Sequence, residues 1–245
     1  MRNIKIIVEY DGTCYHGWQR QPNDITIQQV LEEKIGTITQ EKVTLVSSGR
    51  TDAGVHAINQ VVNFRTETTI NTSNLLRGIN SLLPGDIVVK ELLDVDETFH
   101  ARYDAKSKSY FYRIYNSSIR TALCRNYTWH VYHPLDVSAM QGALSLLKGT
   151  HDFSSFCGAD DDAANHIRTV MKADIEQRKD HLIVISLDAD GFLRYMVRNI
   201  VGTLADVGRG KTTVSDFSDI MVSQDRTKAG ITAPPQGLFL KEVRY

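Results

Sequence analysis

The 245-residue chain has only three cysteines, Cys14, Cys124 and Cys157, and no two of them stand close in sequence. That scarcity argues against a disulfide framework and against a cysteine-rich zinc site, and it fits a reducing cytosol. Long apolar runs are also missing. No stretch approaches the ~20 apolar residues of a membrane span. The opening segment, Met-Arg-Asn-Ile-Lys-Ile-Ile-Val-Glu-Tyr, has too short an apolar run for a signal peptide and alternates with Lys5 and Glu9. There is no excess of positive charge: the formal net charge is −1. Taken alone, that argues against a nucleic-acid partner. What remains is ordinary globular composition, 42% hydrophobic and 23% charged. The length suits one large domain or two of about 100–150 residues.

Net charge hides distribution. Between Phe99 and His130 stand six basic residues (Arg102, Lys106, Lys108, Arg113, Arg120 and Arg125) against one acid, Asp104. The same stretch carries Phe99, Tyr103, Tyr110, Phe111, Tyr112, Tyr115, Tyr127 and Trp129. Cations interleaved with aromatics suit phosphates and unstacked bases. A half-buried strand with a charged outer face has the same pattern, so both readings stay open. Tyr110 and Tyr112 share one strand face by period-two alternation. One fits a core, and the other could present its ring to a base. Phe99-His100-Ala101-Arg102, just upstream, reads either as a phosphate-binding loop or as a solvated turn.

The periodicity predicts β-α-β-β-α-β in the first half. Strands are expected over 4–10, 43–47, 55–64 and 87–93. Helices are expected from the N-cap Thr26 to Ile38 and over 72–83, the second stopped by Leu83-Pro84-Gly85. The order repeats in the second half, with strands over 108–115, 169–177, 182–188 and 237–243 and helices over 136–148 and 193–207. An extra helix is expected near 214–222. The expected fold class is therefore α+β, with two ferredoxin-like halves. The expected domains are 1–104 and 105–245, and two abutting sheets would leave a cleft suited to a ligand.

The segment Gly49-Arg50-Thr51-Asp52-Ala53-Gly54-Val55-His56-Ala57 lies between two expected strands of the first half. Asp-Ala-Gly alone makes a hairpin turn. Small neighbours also let a large ligand approach the backbone, and Arg50 could pair with Asp52, hold a phosphate or wedge into a base stack. His56 reads as a strand-start residue. Arg194 and Arg198 fall on one side of the expected 193–207 helix, beside an apolar stripe of Val197, Ile200, Val201 and Leu204. His151-Asp152-Phe153 and Asp160-Asp161-Asp162 with His166 match no metal-ligand template, and a solvated acidic loop explains them better. A metal-dependent phosphodiesterase on these residues, and an RNA-binding module without catalysis, are the alternative function classes.

Taken in order, these motifs resemble the bacterial tRNA pseudouridine synthase A family over nearly the whole length. The shared segments are Tyr10-Asp11-Gly12-Thr13, Gly17-Trp18-Gln19, residues 49–57, Leu83-Pro84-Gly85-Asp86-Ile87 and Phe99-His100-Ala101-Arg102. Further on come His151-Asp152-Phe153, Gly191-Phe192, Met196-Val197-Arg198-Asn199 and Pro234-Pro235-Gln236-Gly237-Leu238. Asn63 departs from the pattern, which has His before the Phe.

The resemblance implies isomerisation of uridine to pseudouridine at positions 38, 39 and 40 in the anticodon arm of tRNA. It implies Asp52 as nucleophile, Tyr110 packed on the target uracil, Arg50 beside Asp52 assisting extrusion of the base, and Arg198 as a second active-site arginine. It further implies a homodimer with a basic cleft, acting in the cytoplasm without cofactor, metal or membrane. A base inside a stacked stem must be turned out before its glycosidic bond can be reached. Small residues around Asp52 leave room for it.

Overall fold

The computed structural model describes residues 1–158 and 163–245. In chain order the elements are β1 (Arg2–Tyr10), α1 (Ile27–Thr39), β2 (Val46–Ser47), β3 (His56–Thr66), α2 (Thr72–Leu82), β4 (Ile87–Val95) and β5 (Ser107–Asn116). There follow β6 (Trp129–Val131), α3 (Val137–Ser145), β7 (Gly149–Asp152), β8 (Ile167–Gln177), β9 (Leu182–Ala189), α4 (Met196–Gly208), α5 (Val214–Ser223) and β10 (Leu238–Arg244). The class is mixed α+β. Among the described residues no helix is long and apolar enough to cross a membrane. The chain divides into two compact units: Met1–Lys106 with Phe239–Tyr245, and Ser107–Leu238.

In the first unit the strands run in the order β4-β1-β3-β10, and β2 pairs with β3. β1 is antiparallel to both β3 and β4. β10 is parallel to β3, with Phe239 opposite His56 and Leu240 opposite Ala57. Period-two alternation along β1 buries Ile4, Ile6, Val8 and Tyr10. Helix α1 starts where Thr26 Oγ1 accepts the Gln29 N–H, and it buries Ile27, Leu31 and Ile35. Helix α2 starts where Asn71 Oδ1 accepts the Asn74 N–H, and it buries Leu75 and Ile79. The first unit thus shows the expected β-α-β-β-α-β order, with the C-terminal strand added to it.

The strand expected over 43–47 is shortened to Val46–Ser47. Val43 and Leu45 are buried as a strand pattern requires. The Leu45 N–H, however, goes to the carboxylate of Glu32 at 3.1 Å rather than to a neighbouring strand.

The second unit orders its strands β5-β9-β8-β7, with β6 alongside β5. β5, β9, β8 and β7 are antiparallel in turn, and β6 is parallel to β5. The apolar stripe of α4 is buried as expected. The helix begins later than its pattern suggests, because Tyr195 takes a left-handed φ of +62° as its N-cap. Arg194 therefore precedes the helix instead of lying one turn before Arg198. α5 opens on a reciprocal cap between Thr213 and Asp216.

Candidate active site

Asp52 sits in the loop from Ser48 to Val55, between β2 and β3. The entry to this loop is fixed first. The Ser48 N–H donates to the Val61 carbonyl at 2.8 Å, and its hydroxyl donates to Gln60 Oε1 at 2.6 Å. Gln60 Nε2 returns a bond to the Gly49 carbonyl at 2.8 Å. Ser48 and Gln60 are both fully buried, so these bonds satisfy groups that would otherwise be costly to bury.

The segment after β1 then clamps the loop on both sides of Asp52. The Trp18 N–H donates to the Thr51 carbonyl at 3.0 Å, and the Gly54 N–H donates to the Tyr15 carbonyl at 3.2 Å. Thr51 Oγ1 and the Tyr10 hydroxyl lie 2.7 Å apart, and burial pushes the Tyr10 pKa up. Within the loop the Val55 N–H closes on the Asp52 carbonyl at 3.1 Å, and Gly54 supplies a φ of +76°. Gly17, at φ +86°, lies so close that a Cβ there would be 2.7 Å from the Thr51 carbonyl oxygen. The outcome is a turn of small residues whose backbone is held by another strip of the first unit. Asp52 is half-buried on it, and Arg50 is exposed.

His56 is the first residue of β3, and it is buried. Its Nδ1 accepts the Gly12 N–H at 3.0 Å and lies 3.1 Å from Asp11 Oδ1. Its ring stacks on Phe239 at 4.6 Å. The Asp11–Gly12 turn, the start of β3 and the start of β10 therefore meet at one imidazole. The role of Tyr10, Gly12, Tyr15, Gly17 and Trp18 in holding the Asp52 loop escapes sequence reasoning. The available signal is two glycines among three large aromatics, running from the end of the first strand to Trp18.

The second unit carries the other candidates. Tyr110, on β5, is buried and meets Phe192 edge-on at 5.0 Å. Tyr112, two residues on, is the core residue of the pair. It is wholly buried, and its hydroxyl donates to the Pro234 carbonyl at 2.6 Å. Burial pushes its pKa up, against a smaller lowering by the Arg198 charge. Gly237 is glycine because a Cβ there would lie 2.6 Å or less from this ring.

Arg198 is half-buried on α4, and its Nε donates to the Ala233 carbonyl at 2.8 Å. Its guanidinium lies 5.1 Å from the Tyr195 ring centroid, and that of Arg194 lies 4.9 Å from it. Next to it, buried Asn199 donates to the Phe156 carbonyl at 2.8 Å and accepts from Arg226 and Thr232.

The Phe99–Arg102 segment is a tightly held turn of the first unit. Asn3 Nδ2 donates to the Asp96 and Phe99 carbonyls at 2.8 and 2.9 Å. Asn63 Oδ1 accepts the Ala101 N–H at 2.9 Å, and the Tyr245 hydroxyl donates to the Ala101 carbonyl at 2.8 Å. Ala101 is fully buried, Phe99 packs on Tyr245, and the Arg102 side chain is exposed. Asn63 thus has a defined task in shaping this turn.

Among the described residues no group of three His, Cys, Asp or Glu could hold a metal ion. Asp152 Oδ1 instead accepts the Ser154 hydroxyl and N–H, and His151 Nε2 contacts the Lys148 carbonyl at 3.0 Å. Asp160, Asp161 and Asp162 lie outside the described residues.

Comparison with known proteins agrees with the motifs. A family model described as tRNA pseudouridine synthase matches residues 6–104 and 143–245. The protein "tRNA pseudouridine synthase A" of Thermoanaerobacter sp. (strain X514) is 51% identical over 245 residues, covering 100% of both chains. The protein of the same name from Acetivibrio thermocellus is 49% identical, again over 100% of both. The one from Geobacillus sp. (strain WCH70) is 43% identical, covering 100% of this chain and 98% of that one. A match of this extent and identity places the chain in the tRNA pseudouridine synthase family.

Proposed function

We propose that this protein isomerises uridine to pseudouridine in tRNA, at positions 38, 39 and 40 of the anticodon arm, with Asp52 as the catalytic carboxylate. The observation that carries this reading is the Asp52 turn: a carboxylate among small residues, with the backbone fixed at Thr51 and Gly54. A carboxylate on a loop whose backbone is already held can meet an extruded nucleotide without first ordering that loop.

In the reaction the N1–C1′ bond breaks, the uracil turns to present C5, a C5–C1′ bond forms, the C5 hydrogen leaves as a proton, and N1 takes up a proton from solvent. Product and substrate have the same composition, so no oxidant or reductant is needed. Ionised Asp52 can act at C1′, at C6 of the base, or on a sugar proton. In this reading Arg50 assists extrusion of the base, Tyr110 packs on the uracil while it is detached, and Arg198 is the second arginine of the site. The Phe99–Arg102 turn, with Arg102 outward, contributes to holding the RNA. The same reading takes the two halves of the fold as ferredoxin-like, and the protein as a cytoplasmic homodimer.

The test is tritium release from tRNA transcripts labelled at uridine C5, in excess chelator. Wild type is expected to release tritium, and Asp52→Ala, still folded, to release none. Full release by Asp52→Ala would remove Asp52 from the mechanism. Binding without release by wild type, on several tRNAs, would reject the isomerase reading.

A further inference from the structure

Glu32 has a side chain only 9% exposed, yet it is remote in sequence from every residue placed in the site. Its carboxylate is fully engaged. Oε1 accepts the Leu45 N–H at 3.1 Å and Gln28 Nε2 at 2.9 Å, and Oε2 accepts Arg20 Nη1 at 3.1 Å. Gln28, one turn earlier on α1, completes the network. Its Oε1 accepts the Arg20 N–H at 3.1 Å, while its backbone N–H donates to the Trp18 carbonyl at 3.0 Å.

These bonds reach the Asp52 loop from both directions. Trp18 is the residue whose N–H holds the Thr51 carbonyl. Leu45 leads through β2 into Ser48, where the loop begins. The Glu32 and Gln28 side chains therefore hold Arg20, two residues beyond Trp18 on the strip that clamps the loop, and Leu45, just before the strand that delivers it. A buried carboxylate is expensive to desolvate, and apolar packing would hold three segments together more cheaply. What a satisfied polar network adds is a single geometry.

We propose that Glu32, with Gln28, is a positioning residue for Asp52: it sets the place of the Asp52 loop and through it the rate of the chemical step. The inference rests on the reading of Asp52 as catalytic. Its test therefore includes a readout that needs no activity. Glu32→Ala strands the Leu45, Gln28 and Arg20 donors, whereas Glu32→Gln keeps an acceptor for Leu45 and Gln28 and loses only the part-exposed contact to Arg20.

The experiment compares amide hydrogen exchange in native full-length protein with single-turnover tritium release per folded molecule. In Glu32→Ala, exchange over 45–56 is expected to rise about tenfold or more above any change in α2 and β4, since the loop opens locally. The rate at saturating tRNA is expected to fall about 10–100-fold, with the half-saturating tRNA concentration nearly unchanged. Glu32→Gln is expected to recover to within about fivefold of wild type, the scale of an exposed ion pair. A folded Glu32→Ala protein with wild-type exchange over 45–56, or a wild-type rate, overturns the proposal. So does exchange raised equally everywhere, which is loss of stability alone. If Glu32→Ala does not fold, Gln28→Ala is judged by the same two measurements. If wild type releases no tritium, the proposed function fails and the exchange comparison still decides this inference.

Discussion

Substituting Gly17 by Ala tests the idea that the Asp52 loop is held by close backbone packing. Two effects add. At φ +86° an L side chain is strained by about 1–2 kcal/mol. The new methyl would also stand 2.7 Å from the Thr51 carbonyl oxygen and 3.1 Å from the Ala53 nitrogen. Ordinary contact begins near 3.4 Å, so about 0.7 Å must be found by moving one strip against the other. That movement weakens the Trp18–Thr51 bond, at about 1 kcal/mol. The total, about 2–3 kcal/mol, corresponds to a melting temperature lower by about 5–10 °C for a chain of this size. The displacement falls on the residue next to Asp52, so tritium release is expected to drop by up to about 100-fold.

Gly210→Ala provides the control. Gly210 has a φ of +71° and, among the described residues, no non-neighbouring atom within 4 Å of where a Cβ would stand. It should show the conformational cost alone, about 1 kcal/mol, with activity unchanged. If Gly17→Ala matches Gly210→Ala in both melting and rate, the contact with the Asp52 loop has no consequence and the reasoning fails.

Tyr112→Phe should lower stability by about 1–2 kcal/mol in urea titration, because the part-buried Pro234 carbonyl loses its donor; an unchanged midpoint would refute that. Asn63→Ala removes the acceptor of the Ala101 N–H and should cost about 2–3 kcal/mol, with exchange at Ala101 raised; unchanged protection there would contradict it. Stability should also fall at alkaline pH. The folded pKa values of Tyr10 and Tyr112 are raised by burial, so the folded state holds its protons more tightly than the unfolded chain. Their contribution is whole below the ordinary tyrosine pKa of about 10. Above that it is lost by about 1.4 kcal/mol per pH unit for each ring. Tyr10→Phe should flatten the slope of unfolding free energy against pH above 10, and an unchanged slope would refute the assignment.

Elements long enough to show a period were legible in the sequence. β8, β9, α1 and α2 fall within two residues of their expected limits. β6 and β7 were not legible, being only three and four residues long, too short for alternation to register. Val43–Leu45 alternates like a strand and is buried like one, but a helix carboxylate takes its N–H, and that partner is invisible to local pattern. The site shows the same division. Asp52 and Arg50 stand out by chemistry in a run of small residues. The groups that hold the loop around Asp52 are backbone donors and carbonyls of residues 15–18, whose pairing with Thr51 and Gly54 local pattern does not reveal. The Phe99–Arg102 turn looked like a solvated or phosphate-binding loop because its partners, Asn3, Asn63 and Tyr245, lie 36 to 144 residues away.

Residues 239–245 belong to the same compact unit as residues 1–106. Phe239 lies opposite and against His56, and Tyr245 holds Ala101. During synthesis the first 106 residues therefore emerge long before their final strand, while Ser107–Leu238 is a continuous segment that can fold as it appears. The unit bearing Asp52 must wait until residues 239–245 have been made. A nascent chain that stops short of Phe239 presents β3 without β10 beside His56.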